Sequence, residues 1–60
     1  MKVRDLQIEL RNLNDDLEIF VELEYENPAK KAFGFPESVT VIRHGCPEPQ
    51  DDYYRLIFKD

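Results

Sequence analysis

The sequence predicts an α+β fold, with one N-terminal helix packed on a three-stranded antiparallel sheet in the order α-β-β-β. Three observations predict it. The opening segment is amphipathic at helical spacing, residues 17–25 alternate strictly at a period of two, and two later runs are rich in β-branched and aromatic residues. Connections containing proline, glycine and clustered acids separate these runs.

Residues 2–13, K-V-R-D-L-Q-I-E-L-R-N-L, are expected to form the helix. Val3, Leu6, Leu10 and Leu13 recur at steps of three, four and three, which draws one stripe along a helix. A strand would align only Leu6, Ile8 and Leu10. Asp5 lies in the first turn and Arg11 near the last, as the helix dipole favours. Asn14 suits the left-handed conformation that ends many helices. Ile8 falls opposite the stripe, either as a lone exposed side chain or as a contact for a partner or second copy.

A polar connector at 12–16 leads into L-E-I-F-V-E-L-E-Y. Leu17, Ile19, Val21, Leu23 and Tyr25 share one face and are expected to cover the helix stripe. Glu18, Phe20, Glu22 and Glu24 share the other. Residues 26–38, with two prolines and a glycine, are too broken for a regular central strand. V-T-V-I-R-H at 39–44 reads as the second strand, and 45–52 as a turn region. Y-Y-R-L-I-F at 53–58 reads as the third strand. Its two apolar faces call for a place in the middle of a sheet, or for cover on both sides.

Sixty residues make a single domain, 1–60, near the lower size limit for folding without a staple. Spare apolar surface in so small a chain favours a homo-oligomer or a protein partner. One cysteine leaves no intramolecular disulfide, and no apolar run suits a signal core or a membrane span. A soluble, cytoplasmic protein is expected. Thirteen acids against eight bases give a net charge of −5, which argues against direct nucleic-acid binding.

Signals for catalysis are poor, and no enzyme is expected. His44 and Cys46 are the only pair suggesting a nucleophile and base, and Gly45 and Pro47 break the extended geometry that would align them. His44, Cys46, Glu48, Asp51 and Asp52 fit neither the ligand set of structural zinc nor the spacing of a calcium loop. They read as a polar turn, and no cofactor is expected. The acid run of Asp15, Asp16, Glu18, Glu22, Glu24 and Glu26 contains no base. It could imitate nucleic-acid phosphates, or be a solvated strand face that guards an edge. In the long connection, Lys30 and Lys31 stand beside Phe33 and Phe35. These aromatics either fold back over the open sheet or form a contact surface. The candidate partner-binding set is therefore Phe20, Glu22, Glu24, Lys30, Lys31, Phe33 and Phe35.

Val3, Asp5, Leu6, Leu10, Leu13, Asp16, Glu18, Ile19 and Val21 resemble the opening of small uncharacterised phage and prophage proteins. Those begin with V-x-[DE]-L, continue as an amphipathic helix ending in L-x-x-L, and enter a strand through D-x-E-V-x-V. Here Gln7 replaces a usual apolar residue, and Asn14-Asp15 stands where proline is common. The resemblance covers about the first third of the chain and implies a helix, a small antiparallel sheet and a viral or mobile-element origin, with no particular activity. The expectation is a non-enzymatic accessory or inhibitory factor that docks on a host or viral protein. An acidic nucleic-acid mimic that inhibits a DNA- or RNA-binding host defence enzyme and a self-assembling structural subunit are the alternatives.

Overall fold

The structure is a computed structural model that describes residues 1–26 and 34–60. It contains helix α1 (Val3–Arg11), strand β1 (Glu18–Glu24), strand β2 (Ser38–His44), a 3₁₀ turn (Pro49–Asp51) and strand β3 (Tyr53–Lys59). The α+β class and the element order agree with expectation. The sheet does not: it is mixed, in the order β1-β3-β2, with β1 parallel and β2 antiparallel to β3. The strand that is apolar on both faces takes the middle, where both faces can be covered. The connection from β1 to β2 need cross only about 10 Å to pass β3, two strand spacings, and it is long enough to do so. A tight β1–β2 hairpin is therefore not enforced.

The register assigns each side chain to a face, because side-by-side partners point the same way. Ile19, Val21 and Leu23 of β1, Tyr54, Leu56 and Phe58 of β3, and Val39, Val41 and Arg43 of β2 form the inner face. Glu18, Phe20, Glu22 and Glu24, then Tyr53, Arg55, Ile57 and Lys59, then Ser38, Thr40, Ile42 and His44 form the outer face. Among the described residues the buried apolar ones are Tyr25, Tyr54, Leu56 and Ile57, with Leu56 only 2% exposed. All but Tyr25 belong to β3.

At nine residues, α1 is shorter than a helix that would persist alone in water. Its start is fixed by Asp5, whose Oδ2 accepts the Lys2 N–H at 2.8 Å. Lysine offers no acceptor in return, so only half of a reciprocal cap is formed. The helix ends at Arg11, earlier than its spacing suggests. Among the described residues no non-glycine residue has positive φ, so Asn14 does not form the left-handed cap. Asn14 instead closes a local turn, its Oδ1 accepting the Asp16 N–H at 3.0 Å.

Two tethers hold the helical segment to the sheet. The Met1 ammonium donates to the Pro36 carbonyl just before β2, and the Asn14 N–H donates to the Tyr54 hydroxyl at 3.0 Å. Tyr54 lies on the inner face, so the helix lies over that face. Leu6, Leu13 and Leu17 are half-buried, whereas Val3, Ile8 and Leu10 are exposed. The expected cover for β1 is incomplete: Ile19 and Val21 each remain 52% exposed and Leu23 43%. One short helix tethered to Tyr54 and beside β2 can shield the central strand, but not also the far edge.

Replacing Leu56 by Ala should cost about 2–5 kcal/mol, comparable to all the stability a domain of this size holds. The variant should be unfolded at 25 °C by circular dichroism. Tyr54→Phe, which leaves the Asn14 N–H without its acceptor, should cost about 1 kcal/mol in urea unfolding.

Candidate functional site

The outer face is organised in rows that cross the sheet. Glu18, Tyr53 and His44 form one row, and Phe20, Arg55 and Ile42 the next. Glu22, Ile57 and Thr40 follow, then Glu24, Lys59 and Ser38. The exposed Phe20 and Ile42 thus flank Arg55 across the strands. Arg55 Nη2 reaches diagonally to Glu22 Oε2 at 2.7 Å, and Lys59 Nζ lies 3.7 Å from Glu24 Oε2 beside it. The Glu22 hydrogen bond, reinforced by its charge, raises the Arg55 guanidinium above its ordinary pKa. His44 and Tyr53 stack with ring centroids 4.9 Å apart.

Phe20, Glu22 and Glu24 therefore share one surface, as the alternation predicts. Two of the three β1 acids already have a cation on the neighbouring strand. The row is a set of paired charges interrupted by a phenylalanine, not a run of free carboxylates. Phe35, at the end of the long connection, is 92% exposed. The backbone beyond it is pinned: Pro36 accepts from the Met1 ammonium, and the Glu37 N–H donates to the Lys59 carbonyl at 2.8 Å. Phe35 thus belongs to the surface and not to the core. Lys30, Lys31 and Phe33 lie outside the described residues. Sequence reasoning missed Arg55, Lys59 and Ile42 as members of this surface, because their placement beside β1 or Phe20 depends on a parallel register.

At the ends of β1 and β3, Glu24, Tyr25, Glu26, Lys59 and Asp60 line a shallow recess open to solvent. Its polar groups satisfy one another: Lys59 meets Glu24, and the Glu26 N–H donates to Asp60 Oδ1 at 3.0 Å. Among the described residues no helix is long and apolar enough to cross a membrane.

The polar turn between β2 and β3 is a structural clamp centred on Asp52. Its Oδ1 accepts the Cys46 N–H at 2.7 Å, and its Oδ2 accepts from Arg43 Nε and Nη2 at 3.2 and 3.0 Å. The Cys46 N–H first, and the Arg43 guanidinium second, hold this carboxyl below its ordinary pKa of 3.8. A carboxylate held low adds stability that is present above the ordinary value and lost as pH falls through the lower folded-state value. Acid titration of unfolding should therefore show a loss below about pH 4 that Asp52→Asn lacks, with the variant less stable than the parent at pH 7.

No family model, no curated protein and no solved structure matches this chain.

Proposed function

We propose that this chain is a non-enzymatic interaction protein, a small accessory or inhibitory factor of a phage or mobile element that docks on another protein, host or viral. The observation that carries this reading is the exposure of its aromatics. Phe20 stands 54% exposed amid paired charges on the outer face, and Phe35 is 92% exposed on a pinned backbone. An exposed aromatic beside an arginine is the kind of group that anchors protein interfaces, where Phe, Tyr, Trp and Arg are enriched. Ile42, across Arg55 from Phe20, adds a second exposed apolar group to the same row. The resemblance of the first third of the chain to phage proteins supports the origin.

Imitation of nucleic-acid phosphates has less support. Arg55 and Lys59 neutralise Glu22 and Glu24, leaving Glu18 as the β1 carboxylate without an ion pair across the sheet among the described residues. A basic channel would have to compete with cations already in place.

Affinity capture from the natural host, at low and high salt, tests the reading with the parent, Phe20→Ala and Phe35→Ala. Both variants should fold with stability within about 0.5 kcal/mol of the parent, because neither side chain is buried. A partner captured by the parent, retained at high salt and lost with either variant is expected. A partner that binds all three alike would remove the aromatic surface from the proposal. One shed by salt alone would favour the phosphate mimic.

A further inference from the structure

We infer that the free edge of β1 pairs antiparallel with β1 of a second copy, joining two three-stranded sheets into one of six strands. This interface uses the edge and inner row of β1, whereas the docking proposed above uses the outer face.

The edge is open and regular. Among the described residues β1 is bonded to β3 on one side only, and it is a seven-residue strand with no proline or glycine. Such an edge is a template for another strand unless something blunts it. Alternate residues of an edge strand turn their N–H and C=O groups outward. The Lys59 carbonyl accepts the Glu37 N–H on the β2 side, so odd residues of β3 bond toward β2 and even ones toward β1. There the parallel register joins them to the even positions of β1. The odd positions Ile19, Val21 and Leu23 therefore direct theirs away from β3.

Those same three residues are the ones the helix leaves uncovered, at 52%, 52% and 43% exposure. Their arrangement is self-complementary. About a two-fold axis through Val21, Val21 pairs with its own copy and Ile19 with the copy of Leu23, giving about six backbone hydrogen bonds. Every inner-face pair across the seam is then aliphatic. Slipping the register by one residue would set glutamates beside the aliphatic row, which fixes the alignment.

The surface area agrees. A compact monomer of 7.2 kDa would expose about 4,100 Å², whereas this chain exposes 4868 Å². Ile19, Val21 and Leu23 contribute to that surplus. The radius of gyration, 12.8 Å, exceeds the roughly 10 Å expected for 60 residues, and the thinnest extent is 13 Å. The chain is a slab with an open side.

Charge opposes the pairing at one place. On the outer face Glu18 would stand beside the copy of Glu24, and Phe20 beside the copy of Glu22. Glu24 and Glu22 bring Lys59 and Arg55 with them, which leaves Glu18 as the main unfavourable group. That gives a test in both directions.

Sedimentation equilibrium of the full chain should show mass rising from monomer toward dimer between about 1 µM and 1 mM. Val21→Lys, a charge in the centre of the seam, should raise the dissociation constant at least about tenfold. Glu18→Lys, an exposed change that places two lysines opposite two glutamates, should lower it about fivefold or more. Amide exchange at Ile19, Val21 and Leu23 should slow with protein concentration. A parent that stays monomeric throughout would overturn the inference, as would a dimer indifferent to both substitutions. Protection of β1 that appears only on adding a lysine-rich extended peptide would assign the edge to another chain and overturn it too. The inference is read from mass and amide exchange and the docking from capture, so the failure of one is distinguishable from the failure of the other.

Discussion

The structure depends on β3 being hydrogen-bonded along both of its edges. It pairs with β1 on one side and β2 on the other, and those two strands do not meet. Among the described residues, three of the four buried apolar ones lie on it, two facing the helix and one facing outward. Burial of Leu56 between Val21 and Val41 is the centre of this arrangement. Without β3 neither neighbour has a ladder to join, and the helix has no tyrosine hydroxyl to hold the turn that follows it. The rest of the fold is attached to this strand and adds little burial of its own.

Much of this was legible from local pattern. The helix, the three strands and their order follow from periodicity, and the central place of β3 follows from Tyr54, Leu56 and Phe58 alternating with Tyr53 and Ile57. The direction of β1 relative to β3 was not legible. Period-two alternation is identical for parallel and antiparallel neighbours, and a long connection permits either. The helix ends short of its apolar spacing because Leu13 lies beyond it, in the turn whose backbone Asn14 ties to Tyr54. On the outer face, Phe20, Glu22 and Glu24 could be grouped from the sequence alone. Their neighbours Arg55 and Lys59 could not, since they come from a strand more than thirty residues away.

The register also changes the meaning of the acidic composition. A net charge of −5 describes the whole chain, but electrostatics act through spacing. Glu22 and Glu24 face cations across one strand spacing, and Asp52 is committed to a backbone N–H and an arginine. Exposed pairs of the first kind contribute little to stability. Their effect here is on what the surface can recognise: they leave Phe20 and Ile42 as apolar groups on either side of a paired Arg55.

The sheet order has a consequence for how the chain acquires its structure. β3 is the third strand in sequence and the middle one in space. During synthesis β1 and β2 emerge first, and each must wait as an unpaired, partly apolar segment. A nascent chain lacking β3 has no native sheet contact to make, so a chaperone or protease would meet an unpaired chain and not a partly built sheet. Folding is gated by the arrival of one short segment that must insert between two others. That places nearly all of its cost in long-range closure, and the early chain is more exposed to aggregation than its small size suggests.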